Sequence, residues 1–354
     1  MANPFTFEPV ADNHPAGSEI GLALDKSGNP SIVFSDLQTG GLILAQRSGG
    51  IWNLDSVGGL ISGAARPCLA IDSQGNPQLG YQDKASGNLL HAVRTAGRWS
   101  FTTIPTRITP GPTPFGGAGN VAFALHPGRL DTQSRDVAYF VYVDLVTDGL
   151  GFAHTGTIGP TPVVVEFDPN EKIKFAGPSV AFDGSENFFV GYSSIFPTGA
   201  PQDIISVRSK HIVDIEKGTF SDPTVIESSQ FLNVRRATSI VQTGSGGCLA
   251  YFDMASKVLK ASVSSFGGSS IETVATNVGN VVTPSAALKA GAFRIAYADS
   301  DAVKLASRSP CGTWSSETVE AVSAGTPSLI YDVGGTANIA YVANNRIRFA
   351  RRSE

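Results

Sequence analysis

Seven times along the chain a short apolar strand closes on an aromatic residue and runs into a turn. The copies are SIVFSD at 31–36, QLGYQD at 78–83, YFVYVD at 139–144, FFVGYSS at 188–194, CLAYFD at 248–253, RIAYAD at 294–299 and NIAYVA at 338–343. Their aromatics, Phe34, Tyr81, Tyr142, Tyr192, Tyr251, Tyr297 and Tyr341, stand 47, 61, 50, 59, 46 and 44 residues apart. A period of about 50 residues points to a repeat architecture. Each copy keeps one internal order. An apolar strand such as IGLALD (20–25) or CLAIDS (68–73) leads into a tight turn, DKSGNP at 25–30 and DSQGNP at 72–77. In such turns Asp accepts backbone N–H bonds, Gly supplies positive φ and Pro starts the next strand. The aromatic-ended strand and a second turn follow, then a third strand such as LILAQR (42–47) or VKLASR (303–308), and a fourth such as IWNLDSV (51–57) or TWSSETV (313–319).

Four short antiparallel strands per period describe a propeller blade, and neither a sandwich nor a parallel β-helix has this order of turns. The predicted fold class is therefore all-β, a seven-bladed β-propeller forming one domain over 1–354. Its blades lie near 18–57, 65–104, 119–167, 177–227, 237–275, 283–320 and 326–352. The last copy stops after its third strand, while NPFTFEPVADN at 3–13 matches the fourth-strand pattern. The N-terminal strand is thus predicted to complete the last blade and remove an open edge.

Composition narrows the function classes. With 39 Gly, 21 Pro and 16% charged residues, the chain reads as turn-rich β structure. A net charge of −4, from 26 Lys+Arg against 30 Asp+Glu, provides no basic face for nucleic acid. Cys68, Cys248 and Cys311 are too few and too scattered for a disulfide framework, and read as small buried apolar residues. The start, MANPFTFEPVADNH, lacks a basic and apolar leader. No apolar run approaches the roughly 18 residues of a membrane span. The expectation is a cytoplasmic chain without membrane partners, or a secreted one whose signal peptide has been removed.

Repeated residues read as scaffold, and function is sought where the repeat breaks. Asp36, Asp83, Asp144, Asp253 and Asp299 follow the aromatic strand and are predicted to bond their own turns. Arg47, Arg94, Arg208, Arg308 and Arg352 at the third-strand ends, with Trp52, Trp99 and Trp314, are predicted to pair and pack between blades. The irregular segments are 103–119, 193–203 and 227–237, which the topology assigns to one face of the propeller around the channel mouth. The opposite face receives 126–135 and 211–223. The candidate binding face carries His14, Arg66, Arg107, Phe115, Phe175, Tyr192, Phe196, Phe231, Arg235 and Arg236. Aromatics mixed with arginines suit a ligand with apolar bulk and oxygen functions. Arg107, Arg235, Arg236 and Tyr192 are the candidate catalytic donors. His14, Arg66, Phe115, Phe175, Phe196 and Phe231 are the candidate substrate-binding residues. The five histidines have no zinc spacing, and P-loop, GxSxG and GxGxxG contexts are missing, so neither metal nor cofactor is expected.

The repeat, with DSQGNP, the aromatic-ended strand and LxxAxR, resembles the seven-bladed propellers grouped with lectin-like and sialidase-like proteins. SRSPCGTW at 307–314 departs from the sialidase Asp box in lacking its Asp and its Gly spacing, which argues against sialidase activity. At the level of fold the chain is also similar to cofactor-free fungal hetero-Diels–Alderases of tropolone–sesquiterpenoid pathways. These resemblances imply a cofactor-independent enzyme or binder for one small organic molecule in an asymmetric pocket, a natural-product cyclase among the candidates. The alternatives they leave are a carbohydrate-binding lectin and a protein-interaction scaffold.

Overall fold

One aspartate closes the first turn of a repeat. In the structure, a computed structural model, Asp25 Oδ1 accepts the N–H groups of Ser27 and Asn29, both at 2.8 Å, and Asn29 Nδ2 donates back to Oδ2 at 2.9 Å. Asp72 and Asp183 repeat this with Gln74 and Asn76, and with Ser185 and Asn187. Asp332 takes the N–H of Thr336 at 2.8 Å. Gly28, Gly75 and Gly335 sit at φ 78°, 88° and 80°, left-handed backbone that glycine adopts without a Cβ penalty. Asp25 and Asp183 carry pKa values below the ordinary one. Burial raises them, but the hydrogen bonds of the turn outweigh it.

The structure describes residues 3–57, 65–83, 88–104, 121–130, 136–144, 149–156, 163–166, 174–195, 203–215, 220–229, 238–244, 246–265, 268–279 and 283–352. The strands in chain order are β1 (Thr6–Pro9), β2 (Ala16–Leu24), β3 (Pro30–Asp36), β4 (Leu42–Ser48), β5 (Ile51–Ser56), β6 (Ala65–Ile71), β7 (Pro77–Gln82), β8 (Leu89–Thr95) and β9 (Arg98–Ile104). Next come β10 (Val121–Leu130), β11 (Asp136–Asp144), β12 (Gly149–His154), β13 (Val163–Glu166), β14 (Lys174–Phe182), β15 (Asn187–Ile195), β16 (Asp203–His211), a four-residue helix α1 (Ile212–Ile215) and β17 (Thr224–Ser229). The rest are β18 (Ser239–Thr243), β19 (Gly246–Asp253), β20 (Val258–Ser265), β21 (Gly268–Ala275), β22 (Ser285–Lys289), β23 (Ala292–Ala298), β24 (Val303–Arg308), β25 (Trp314–Glu320), β26 (Ser328–Tyr331), β27 (Ala337–Ala343) and β28 (Arg346–Arg352).

These strands form seven four-stranded antiparallel sheets, six of them from four consecutive strands. The seventh has the order β1-β28-β27-β26, so the N-terminal strand completes the last blade, with Thr6 opposite Arg351 and Pro9 opposite Arg348. The fold is all-β, a seven-bladed β-propeller. No helix among the described residues is long and apolar enough to cross a membrane.

The chain divides into two compact units. One holds the first, second, sixth and seventh blades; the other, Ser86–Leu89 with Thr103–Asn277, holds the third, fourth and fifth. In the first unit Phe34, Ile20 and Ala45 pack with Ala340, Val342 and Phe349, joining the first blade to the seventh, and the ring of Trp52 meets Phe349 edge-on at 5.4 Å. Gly21 is required here, because a Cβ on it would stand 2.9 Å from the Pro67 carbonyl oxygen of the next blade. In the second unit Tyr139, Phe152, Phe188 and Tyr192 share one core, and Ile205 packs with Leu249 and Tyr251 in another.

The arginines of the third strands clasp neighbouring blades. Arg47 donates to both oxygens of Glu8 at 2.7 and 2.9 Å, and Trp52 Nε1 reaches the same carboxylate at 3.2 Å. Arg94 Nε lies 2.7 Å from Asp55 Oδ2, which also accepts from Trp99 Nε1 at 3.1 Å. Arg352 pairs with Glu317 and lies over the ring of Phe5, 5.5 Å from its centroid. Each clasp is partly exposed and worth on the order of 1 kcal/mol, so it sets blade register more than stability. Arg208 also reaches groups of its own blade, the Tyr192 hydroxyl and the Ser221 carbonyl.

Two expectations change. The segment 126–135 begins as strand, not loop, because β10 passes a bulge after Leu125 and pairs again at Leu130 with Asp136. The cysteines are not uniformly buried: Cys248 is, Cys68 is half-buried, and Cys311 is exposed in a hairpin turn.

Candidate functional site

The aspartates after the aromatic strands show how a repeat becomes a site. Asp36, Asp253 and Asp299 each accept a backbone N–H of the turn that follows, from Gln38 at 3.0 Å, from Ala255 and Ser256 at 3.1 Å, and from Ser300 at 2.8 Å. This is the predicted turn-bonding role. The second oxygen is used differently from blade to blade. At Asp253 it faces Lys260 Nζ at 3.0 Å, and at Asp299 it faces Lys304 Nζ at 2.6 Å. At Asp36 it faces His14 Nδ1 at 3.2 Å and the Thr39 hydroxyl at 2.9 Å.

Backbone bonds hold His14 in place on both sides. Its own N–H donates to Ala11 O at 3.1 Å, Leu37 N–H donates to Pro15 O at 2.7 Å, and Ala16 N–H donates to Asn345 O at 2.7 Å. The β2–β3 register sets Ala16 opposite Asp36, which brings the residue two positions earlier over the carboxylate. The His14 side chain is 33% exposed, whereas that of Asp36 is fully buried. Burial pushes the Asp36 carboxyl up, but bonds from Gln38, His14 and Thr39 outweigh it and hold its pKa below the ordinary carboxylate value. An ionised carboxylate only accepts, so Nδ1 carries the hydrogen, and the lone pair of the neutral ring is at Nε2. A base held from behind by a buried acceptor can take and return a proton.

The tyrosines at the same blade ends are scaffold. Tyr251 donates to Glu227 at 2.6 Å, a carboxylate on the fourth strand of the preceding blade that also holds Lys260 at 2.6 Å. Tyr341 donates to Glu320, which Arg348 also meets. Burial, then the bonded carboxylate, drives both phenols well above the ordinary tyrosine range. Other tyrosines of the repeat are placed differently. Tyr297 donates to Ser316 Oγ at 3.0 Å within its own blade. The buried Tyr81 hydroxyl has no hydrogen-bond partner among the described residues.

Of the residues singled out in the sequence, His14 is set in an acid–base pair in the first unit. Tyr192 and Phe175 lie in the second, buried at 1% and 5% exposure with ring centroids 6.0 Å apart, and the Tyr192 hydroxyl is met by Arg208 Nε at 3.2 Å. Arg107, Phe115, Phe196, Phe231, Arg235 and Arg236 lie outside the described residues, as does the side chain of Arg66. Asp36, read only as a turn former, is the residue that sequence reasoning missed. The signal was available: a histidine two positions before a first strand falls opposite the aspartate that ends the second.

No known family model and no curated protein sequence matches the chain. Solved structures do match. A streptogramin B lyase is 13% identical with a TM-score of 0.57, covering 99% of this chain and 99% of that one. An ulvan lyase bound to a GlcA(1-4)Rha3S unit is 12% identical with a TM-score of 0.61, over 97% and 95%. The SapL1 lectin in complex with alpha methyl fucoside is 12% identical with a TM-score of 0.51, over 86% and 97%. At such identities the likeness is one of fold.

Proposed function

We propose that this chain is a cofactor-independent binder or enzyme for one small, oxygen-bearing organic molecule, and that the ligand sits against the His14 end of the first blade. The observation that carries this reading is the inequality of the repeats. Lysines close Asp253 and Asp299, whereas Asp36 holds an imidazole open to solvent. A lectin that repeats its sugar pocket would keep equivalent side chains at equivalent blade positions. Proteins of similar fold include a streptogramin B lyase, an ulvan lyase and a lectin holding a fucoside. The fold therefore accommodates both small-molecule and glycan ligands, and the choice rests on the site. Arg66, next to β2 in the neighbouring blade, is the proposed contact for the ligand's oxygen functions. A cyclisation of the hetero-Diels–Alder type is one reaction that such a site would serve, by orienting the reacting atoms and polarising a carbonyl.

The test is the number of equivalents bound. Native mass spectrometry against a glycan panel and a panel of polyketides and terpenoids is expected to give one equivalent of one compound per chain. Several equivalents of a single sugar would make the protein a lectin and end this reading.

A further inference from the structure

We propose that His14 is a catalytic base, with Asp36 as its positioning residue, and that the reaction is a proton transfer within a carbonyl compound. This deepens the functional reading above and rests on it. Three observations carry the assignment. The loop bearing His14 is fixed by its own backbone bonds, so the imidazole is not needed to hold it. Asp36 is fully buried, with a backbone N–H and a threonine hydroxyl already satisfying part of it, yet its remaining capacity goes to a ring that is one-third exposed. The equivalent carboxylates at Asp253 and Asp299 take lysine, which closes the position permanently. Among the described histidines, His91, His126 and His154 are buried, and the exposed His211 lies 3.8 Å from an exposed Glu186. His14 alone of these joins an accessible ring to a buried carboxylate.

In the step, a C–H bond beside a carbonyl breaks and its electron pair stays on the ligand as an enolate. The proton goes to Nε2, and the imidazolium so formed faces the Asp36 carboxylate. The imidazolium hydrogen exchanges with solvent, and Nε2 then delivers a proton to another atom of that enolate, so one proton leaves and one arrives and no further reactant is consumed. Carbon acids activated by a carbonyl are within reach of an imidazole base, and such general-base catalysis contributes about 10²- to 10⁴-fold.

The first probe is diethyl pyrocarbonate, an electrophile that records a bare, accessible imidazole nitrogen, read by peptide mass spectrometry on the full chain. His14 and His211 are expected to react, with the buried histidines protected. Asp36→Asn is expected to slow His14 several-fold and leave His211 unchanged, while ¹⁵N spectra show Nε2 losing its unprotonated signature. An unreactive His14, or a rate and spectrum untouched by Asp36→Asn, overturns the proposal. The second probe is deuterium uptake from D2O by ketone members of the small-molecule panel. Wild type is expected to catalyse uptake into the compound it binds, and His14→Gln to lose it by at least 10²-fold. Binding of that compound without uptake overturns the catalytic role and leaves the binding reading standing, whereas failure to bind any panel compound removes the reading itself.

Discussion

The first and sixth blades carry the same aspartate at the end of the second strand and surround it in opposite ways. Asp299 is tied to the Gly279 N–H of the incoming loop at 2.8 Å, to the Ser300 N–H and to Lys304, all part of its own blade or its entry. Burial raises its pKa, but these bonds outweigh that and bring it to about 2. Asp36 has the turn N–H and a hydroxyl, but a histidine from the incoming loop replaces the Gly279 contact and no lysine reaches it. One repeat position thus serves as a stability element in one blade and as the rear support of an exposed base in another. In a repeat protein the informative residue is the partner that changes, not the residue that recurs.

The largest expected difference between the two positions is in chemistry. His14→Gln should lower proton transfer by about 10²- to 10⁴-fold, whereas Lys304→Met should leave it within a factor of two or so, as measured by deuterium uptake. In stability the order reverses. Asp299→Asn should cost about 2 kcal/mol in urea unfolding, since it gives up a charge whose pKa is depressed from 3.8 to about 2. Asp36→Asn should cost about 1 kcal/mol, because the amide oxygen still accepts from Gln38 and the Thr39 hydroxyl can turn to accept from the amide NH2. Acid titration sharpens the same contrast. A depressed carboxylate stabilises the fold above its unfolded pKa and loses that contribution as the pH falls through the folded one. The Asp299 share should therefore disappear from about pH 4 down to about pH 2, and the Asn variant should show a shallower acid limb.

The smallest effect separates two tyrosines of the aromatic repeat. Tyr341→Phe removes a bond to Glu320 and should destabilise by about 1 kcal/mol. Tyr81→Phe removes a buried hydroxyl that bonds nothing among the described residues, and thermal melts should show it neutral or stabilising by up to about 1 kcal/mol. A destabilised Tyr81→Phe would mean that the hydroxyl has a partner.

The blade architecture was legible because it rests on short-range chemistry repeated seven times. Asp25, Asp72 and Asp183 close turns with residues two and four positions away, so the DxxxN string carries its own conformation. Closure by the N-terminal strand was legible for a related reason: an unmatched fourth strand at one end had one free edge to fill. The arginine clasps could be foreseen as a class, but not their acids, since Glu8, Asp55 and Glu317 do not recur as one residue type. The His14–Asp36 pair was half legible. His14 stood out as a deviation, while Asp36 was hidden by its resemblance in sequence to four other aspartates, of which Asp253 and Asp299 share its turn role. Tyr192 stood out by position, but its hydroxyl is buried and accepts from Arg208 of the next strand, a pairing set by the register of β15 with β16 that composition does not reveal.

The most direct measurement is a count of bound ligand by native mass spectrometry on wild type and His14→Ala side by side, with the panel compound that binds best. One equivalent on the wild-type chain, and affinity at least about tenfold weaker on the variant, a loss of 1.4 kcal/mol, is the expected result. Several equivalents on wild type, or the same single occupancy on both chains, would contradict a single site at the end of the first blade.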